Sequence, residues 1–207
     1  MGPLIDYGIP LREEDLDSDP VRQFAFWFGE AGIAGVREPE AAALATASAD
    51  GVPSVRMVLV KDFDERGFVF FSSYTSRKGR EIAANPRAAL LFHWDPLGRQ
   101  VRIEGAVEHT SAEESAAYIR SRPRSSQLSA LASPQSQRID SREELERRVR
   151  DLARRYSERE LPLPSDWGGF RLLAETLEFW QQRHDRLHDR LLYRRAPDGW
   201  VIERLAP

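Results

Sequence analysis

The chain has 207 residues, 41% of them hydrophobic and 30% charged, which is typical of one soluble globular domain and argues against a disordered chain. With no cysteine, it can form no disulfide, no thiolate nucleophile and no cysteine metal site. A net charge of −3, no apolar run of about 18 residues and no visible signal peptide lead us to expect a cytoplasmic protein that binds neither nucleic acid nor membrane.

The amino-terminal segment, residues 1–18, is rich in proline, glycine and acidic side chains, and it predicts a flexible arm in front of a single domain over residues 19–207. Asp19-Pro20 then marks a helix start, because aspartate caps free backbone N–H groups and proline fits the first helical position. The helix carries an apolar stripe that includes Phe24 and Phe28, which we expect to pack in the core.

An alternation of apolar and polar side chains, which is typical of β-strands, follows in five segments: residues 43–47, 55–61, 67–72, 88–94 and 100–109. Glycine-containing turns separate consecutive strands, as at Asp50-Gly51, because glycine takes the positive φ of a tight hairpin. Between the third and fourth strands, Ser76 is expected to cap a short helix that Asn85-Pro86 ends.

Two capping boxes, in which a serine precedes a glutamate by three residues, predict further helices from Ser111 to about Arg120 and from Ser141 to about Tyr156. The chain then returns to strand patterns in three segments: residues 169–173, 191–195 and 200–205. Meandering strands interrupted by short helices predict a fold that is mainly β with α insertions, namely an antiparallel barrel with flanking helices.

Familiar catalytic motifs are missing from the sequence, which has neither a Gly-x-Ser-x-Gly elbow nor a phosphate loop nor a dinucleotide fingerprint. His184 and His188 are four residues apart and could share a helical face for a metal ion. The intervening Asp185-Arg186-Leu187 and the turn at 197–199 argue against this arrangement, so we expect no metal site.

Clusters of cationic and small polar side chains are the most informative feature of the sequence. Of the 30 basic residues only Lys61 and Lys78 are lysine, and each lies in such a cluster. Ser76-Arg77-Lys78 opens a helix, where free N–H groups favour phosphate, while Arg56 and Lys61 bracket one strand and point to opposite faces unless a bulge intervenes. Each cluster alone is typical of a solvated loop, but together they favour phosphorylated small molecules bound between strands.

The order of these motifs resembles that of the pyridoxine/pyridoxamine 5′-phosphate oxidase family, from about Asp19 to Pro207. The motifs of the first part are Arg56 to Lys61, Ser76-Arg77-Lys78, Asn85-Pro86-Arg87, Arg99-Gln100-Val101, Ser121-Arg122-Pro123, Ser126-Gln127 and Gln135-Ser136. The motifs of the second part are Pro162-Leu163-Pro164, Trp167-Gly168-Gly169, Glu178-Phe179-Trp180-Gln181, Arg186-Leu187-His188-Asp189-Arg190 and Arg204-Leu205-Ala206-Pro207.

The resemblance implies a split β-barrel that binds FMN and is active as a homodimer with FMN at the subunit interface. It implies FMN contacts from Arg56, Met57, Val58, Leu59, Val60, Lys61, Phe71, Ser72, Arg77, Lys78, Gln100, Gln135, Ser136, Trp180 and Arg190. It implies substrate contacts from Lys61, Tyr118, Arg122, Ser126, Arg186, Leu187 and His188, with Arg186 and His188 as the catalytic pair. The implied reaction moves a hydride from C4′ of a phosphorylated pyridine to the flavin, and the electrons then reduce O2 to H2O2.

Three departures from the family pattern lie towards the substrate side of the implied site. The segment before Tyr7 supplies no arginine, Gln182 stands where glycine usually follows Phe-Trp-Gln, and Ser129 stands where glycine is usual. FMN binding is therefore a firmer expectation from the resemblance than the identity of the substrate.

Two alternatives stay open beside a pyridoxine or pyridoxamine 5′-phosphate oxidase. One is a paralogous FMN oxidase of another ring, such as a dihydrophenazine, and the other is a flavin- or haem-binding split barrel without turnover. The implied phosphate-binding set argues against the first, because a ring without phosphate would not need it. Retention of Arg186 and His188 argues against the second.

Overall fold

The computed structural model of the protein describes residues 10–207. In this part of the chain the β-strands are β1 (Ala41–Ala47), β2 (Pro53–Asp64), β3 (Gly67–Ser73), β4 (Arg87–Trp94), β5 (Arg99–His109), β6 (Trp167–Gln181), β7 (Asp189–Ala196) and β8 (Gly199–Arg204). The α-helices are α1 (Pro20–Ile33), α2 (Arg77–Ala84), α3 (Ala112–Ser121), α4 (Arg124–Ala132) and α5 (Arg142–Arg155). Within residues 10–207, no helix has the length and apolar character needed to cross a membrane.

Antiparallel pairing arranges the strands in the order β3-β2-β1-β4-β5-β6-β7-β8, and an additional pairing of β3 with β6 closes the first six into a barrel. Strands β7 and β8 extend the sheet beyond β6. Gly105 shows how closely β5 and β6 approach, since a Cβ there would lie 1.9 Å from the carbonyl oxygen of Leu173. The predicted antiparallel barrel with α insertions is confirmed.

Helix α1 packs its apolar stripe against the barrel, as the sequence predicts. Asp19 caps the helix, with a carboxylate oxygen that accepts the N–H of Val21 at 2.9 Å. Phe24 is fully buried and meets three rings edge-on at centroid distances of 4.8 to 5.0 Å, those of Phe63, Phe68 and Phe92. This edge-to-face geometry is the favoured one for aromatic pairs, so the cluster fixes α1 on the barrel.

Capping residues mark the helix starts that the sequence predicts. Ser76 accepts the N–H of Gly79 at the start of α2, and Ser111 forms a complete capping box with Glu114 at the start of α3. The sequence analysis misses α4, because Pro123 before this helix provides no side-chain cap that could announce it.

Strand β6 is much longer than the predicted segment 169–173, because its side-chain alternation changes phase. The register of β6 against β5 shifts between Glu104 and Gly105, which leaves Glu175 as an extra residue on β6. Beyond this bulge the other set of alternate positions faces the core. The sequence pattern therefore breaks at the bulge although the strand continues.

Residues 10–18, which the sequence places in a flexible arm, are packed against the carboxy-terminal strands. The N–H of Leu11 donates to Asp189 at 3.1 Å, and Arg204 donates to the carbonyl oxygen of Leu11 at 2.9 Å. Arg204 also donates to both carboxylate oxygens of Glu13 at 2.8 Å. These contacts hold this part of the predicted arm in place, and its other part, residues 1–9, lies outside the described residues.

Truncating the central ring of the core should destabilise the whole domain. We expect Phe24→Ala to lower the free energy of unfolding by about 3–5 kcal/mol, because it leaves a cavity among three aromatic rings. Phe26→Ala is the matched control, since Phe26 lies on the same helix but is 62% exposed, and a change below about 0.5 kcal/mol is expected. Urea denaturation followed by circular dichroism measures both, and equal losses would contradict the assigned packing.

Candidate functional site

A cavity of about 420 Å³ lies between strands β2 and β3 and the segment that contains α3 and α4. Among the residues that the resemblance assigns to cofactor or substrate, the cavity wall brings together Met57, Val58, Leu59, Lys61, Phe71, Ser72, Lys78, Tyr118, Arg122 and Gln135. The wall also contains residues to which the sequence analysis assigned no contact: Ser73, Ser129, Ala130, Ser133 and Trp167. Ser129, one of the departures from the family pattern, is thus part of the cavity.

Lys78 is a buried cation in this wall, with 9% of its surface exposed. Its ammonium group donates to Ser72 Oγ at 2.9 Å and to Gln135 Oε1 at 3.0 Å, and both of these acceptors are neutral. Burial, together with the positive charge of Arg56, lowers the pKa of Lys78 to about 8. A buried ammonium with neutral partners retains most of its charge for an incoming anion, so this end of the cavity suits a phosphate group.

The turn from β3 into α2 places Lys78 at the cavity. Ser76 donates its hydroxyl to the carbonyl oxygen of Ser73 at 2.7 Å and accepts the N–H of Gly79, so the first helical turn is fixed on the end of β3. A Cβ on Gly79 would lie 2.2 Å from the carbonyl oxygen of Tyr74, which explains why this position holds glycine.

Arg56 and Arg77, which the resemblance assigns to FMN, both pair with Glu81. Arg56 pairs with the Glu81 carboxylate at 3.2 Å, and Arg77 pairs with it at 2.8 Å. Burial opposes ionisation of Glu81, but hydrogen bonds from Ser54, Thr46 and Arg77 outweigh it and lower the pKa of Glu81 to about 2. Neither arginine belongs to the cavity wall in this structure.

Lys61 reaches the cavity at a bulge in β2. The register between β2 and β3 shifts between Val60 and Asp62, which leaves Lys61 as the extra residue that the sequence analysis allowed for. Its ammonium group pairs with Glu40 at 3.2 Å. The cavity therefore has a second cation, held by partners different from those of Lys78.

Three nearly parallel aromatic rings stand at the other side of the cavity. The rings of Phe71 and Tyr118 stack with centroids 3.7 Å apart, and the ring of Trp167 lies 5.7 Å from Phe71 and 6.1 Å from Tyr118. The guanidinium of Arg122 lies over the Trp167 ring, 5.4 Å from its centroid. Trp167 begins the Trp-Gly-Gly motif, so the sequence contained a signal for it even though no contact was assigned.

The remaining assigned residues lie elsewhere. Gln100, Trp180 and Arg190 are successive cross-strand partners on β5, β6 and β7, and the ring of Trp180 lies 4.5 Å from that of His188. We call these four residues the second cluster. Arg190 is held by Glu178, which accepts from it at 2.7 and 3.1 Å. None of the four lines the cavity, and neither do Val60, Ser126, Ser136, Arg186 and Leu187.

The loop between β6 and β7 contains the implied catalytic pair. Asp185 and Arg186 take left-handed backbone conformations, with φ of 57° and 61°, within a short 3-10 turn. His188 accepts the N–H of Arg183 on its Nδ1 at 3.1 Å. His184 and His188 therefore do not share a regular helix, and within residues 10–207 no group of three or more His, Asp or Glu side chains is placed to hold a metal ion.

The cavity and the second cluster share one face of the sheet but lie in different parts of it. Met57, Ala43, Leu91, Arg102 and Glu178 are successive partners across β2, β1, β4, β5 and β6. The pairing of β3 with β6 sets Phe71 of the cavity opposite Gly169, whereas Trp180 of the second cluster lies eleven residues further along β6, about 36 Å at the usual rise of a strand. One chain therefore places the residues that the resemblance assigns in two separate regions.

Large apolar side chains are exposed on the same face, close to the cavity. Val55 is 69% exposed, Met57 65%, Leu59 39% and Leu91 37%. A contiguous apolar patch of this kind is typical of a surface that another protein chain covers.

The chain matches two family descriptions. Residues 30–156 match "Pyridoxamine 5′-phosphate oxidase", and residues 167–207 match "Pyridoxine 5′-phosphate oxidase C-terminal dimerisation region". Two curated relatives named pyridoxine/pyridoxamine 5′-phosphate oxidase come from Rubrobacter xylanophilus and Burkholderia multivorans. They are 58% and 57% identical to this chain over 95% of its length, and the matches cover 91% and 93% of their own lengths.

Solved structures share the fold. PhzG from Burkholderia lata 383, solved in complex with tetrahydrophenazine-1-carboxylic acid, has a TM-score of 0.90 at 34% identity, covering 96% of this chain and 98% of that one. A pyridoxamine 5′-phosphate oxidase-related, FMN-binding protein from Nostoc punctiforme has a TM-score of 0.72 at 18% identity, covering 91% and 98%.

The lowered pKa of Lys78 can be measured directly, because the chain has only two lysines. In protein without a bound anion, we expect the Lys78 ammonium to titrate near pH 8, since burial disfavours its charged form. NMR of 13C-labelled lysine should show this titration, and it should disappear in Lys78→Arg and persist in the matched Lys61→Arg protein. Titration of Lys78 only near the ordinary value of about 10.4 would contradict the described burial.

Proposed function

Because the chain belongs to the pyridoxamine 5′-phosphate oxidase family, which confirms the resemblance seen in the sequence, we propose that it is an FMN-dependent oxidase of phosphorylated pyridines. It converts pyridoxine 5′-phosphate, pyridoxamine 5′-phosphate or both to pyridoxal 5′-phosphate, with O2 as electron acceptor and H2O2 as product; the amine substrate also takes up water and releases ammonia. The observation that carries this proposal is one cavity with two separately held cationic groups, one at Lys78 and one at Lys61 and Arg122. Two phosphate groups, one of FMN and one of the substrate, match this arrangement.

The residues of the cavity fit FMN. Lys78 offers an uncompensated charge to the FMN phosphate, beside the side chains of Ser72 and Gln135. The exposed side chains of Met57 and Leu59 offer an apolar surface for the flavin ring. FMN held there would supply the redox chemistry, namely hydride transfer from C4′ of the substrate and reduction of O2.

The contribution of the protein to this reaction is positioning. Lys61, Tyr118 and Arg122 of the cavity wall bind the substrate phosphate, together with Ser126, which the resemblance adds from α4 outside that wall. Arg186 and His188 hold the pyridine ring with C4′ towards the flavin. Arg186 presents a rigid planar fork and His188 an imidazole, so both can hold polar ring substituents without attacking them. Because hydride transfer depends steeply on distance and orientation, such positioning accounts for an active site without a nucleophile.

A homodimer completes the site. The carboxy-terminal part of the chain matches a dimerisation region, and the exposed apolar face around Met57 gives a second copy a surface to cover. Packing of two such faces around a twofold axis would bring the cavity of one subunit opposite the second cluster of its partner. FMN then lies at the interface, with Lys78 from one subunit and Trp180 and Arg190 from the other.

A dihydrophenazine oxidase is the second candidate, favoured by the TM-score of 0.90 with PhzG. The presence of Lys61 and Arg122 at the cavity supports the phosphorylated pyridine instead, because two cations suit a phosphate dianion better than a ring without phosphate. A split barrel that binds flavin without turnover is the outcome if FMN binds but no substrate is oxidised.

The proposal predicts both a cofactor and an activity. Purified protein should be yellow with one FMN per chain, and it should consume O2 and release H2O2 with pyridoxine or pyridoxamine 5′-phosphate. A dihydrophenazine should be oxidised with a kcat/KM lower by roughly tenfold or more. Colourless protein that takes up no added FMN would refute the cofactor, and faster oxidation of the dihydrophenazine would establish the second candidate.

The shared site can be tested with hybrid dimers. One variant lacks cavity cations (Lys61→Ala with Arg122→Ala), and the other lacks the loop pair (Arg186→Ala with His188→Ala). Each homodimer should be nearly inactive, whereas heterodimers purified through two different tags should retain about half of the wild-type activity, because one of their two sites is intact. Inactive heterodimers that still bind FMN would mean that each chain builds its own site.

A further inference from the structure

Trp167 forms part of the wall of two cavities. It lines the 420 Å³ cavity of the proposed active site and also a neighbouring cavity of about 320 Å³ beside α3. Its ring faces Arg122, the last residue of the turn that ends α3, and runs parallel to the ring of Tyr118 within 4°. Both neighbours belong to the proposed phosphate-binding set of the substrate.

The position of Trp167 is fixed by its surroundings. It pairs with Ser73 at the start of β6, and the N–H of Tyr74 donates to the carbonyl oxygen of Asp166 at 2.7 Å. A Cβ on Gly168 would lie 1.9 Å from the Tyr74 hydroxyl oxygen, so the strand can approach Tyr74 only because this residue is glycine. The backbone that carries the indole ring is therefore held in the sheet by its pairing with β3.

Arg122 is held without being neutralised. Among residues 10–207, no carboxylate lies within ion-pair distance of its guanidinium, in contrast to Arg56 and Arg77, which share Glu81. A carboxylate partner would fix the side chain but cancel its charge, whereas an aromatic face fixes it and leaves the charge available for a substrate phosphate.

We propose that Trp167 is a positioning residue for the substrate phosphate, acting through Arg122 and Tyr118. This inference rests on the proposed function, in which these two side chains bind that phosphate. The ring keeps Arg122 in the bound orientation before the substrate arrives, so that less side-chain freedom is lost on binding. The proposed FMN phosphate contact should not depend on it, because Lys78 is held by Ser72 and Gln135 and not by Trp167.

The test compares Trp167→Leu, Trp167→Phe and the matched control Trp200→Leu in FMN-loaded protein. The control removes another arginine–tryptophan contact, that of Arg195 over Trp200 at 4.5 Å, on β7 and β8. Trp167→Leu should raise KM for the phosphorylated pyridine and the Kd of pyridoxal 5′-phosphate roughly three- to thirtyfold, with kcat and the Kd of FMN nearly unchanged. Trp167→Phe, which keeps an aromatic face, should recover most of this loss, and Trp200→Leu should show none of it.

Each other outcome is decisive. Unchanged KM and Kd in Trp167→Leu would overturn the inference, as would a parallel loss of FMN, which would indicate a purely structural role. If Trp167→Leu does not fold, Trp167→Phe still decides, because the inference requires it to bind pyridoxal 5′-phosphate almost as wild type does. Equilibrium binding of pyridoxal 5′-phosphate needs no turnover. Wild-type protein that binds it but oxidises no phosphorylated pyridine would therefore refute the proposed function and leave the inference about Trp167 standing.

Discussion

The pairing of β3 with β6 is the constraint on which the position of the cavity groups depends. It closes the barrel and sets Phe71 opposite Gly169 and Ser72 opposite Gly168. Because these two glycines have no side chain, Tyr74 and Thr110 can lie against β6. From the end of β3 the chain turns directly into α2, which places Lys78. The strand pairing that closes the barrel therefore also positions the side chains of the cavity wall.

The cationic side chains near the cavity differ in whether their partners are charged or neutral. Outside the cavity, Arg56 and Arg77 are neutralised by the buried carboxylate of Glu81, which gives that region a stable internal network. At the cavity, Lys78 has hydroxyl and amide partners and Arg122 has an aromatic face. Lys78 and Arg122 thus have no carboxylate partner among the described residues, whereas Lys61, also in the cavity wall, is paired with Glu40.

Features of this structure could be predicted from the sequence where the interacting residues lie close together along the chain. Asp19, Ser76 and Ser111 cap helices through contacts within three residues, so their signals can be read directly from the sequence. The second half of β6 could not be predicted, because the bulge at Glu175 reverses the alternation. For the site, the resemblance assigned a set of residues but did not indicate that one chain places them in two separate regions. The Arg77–Glu81 pair was readable as an i,i+4 contact on a helix, whereas the Arg56–Glu81 pair required the tertiary fold.

The scarcity of lysine has a consequence for how the enzyme tolerates its own product. Pyridoxal 5′-phosphate is an aldehyde, and aldehydes condense with unprotonated primary amines, whereas guanidinium groups stay protonated and do not react in this way. Apart from the α-amino group, the chain has two primary amines, and Lys61 is paired with Glu40 while Lys78 is buried beside Ser72 and Gln135. The cationic side chains outside the cavity are therefore arginines, which do not condense with the aldehyde, and the two lysine amines both lie in the cavity wall.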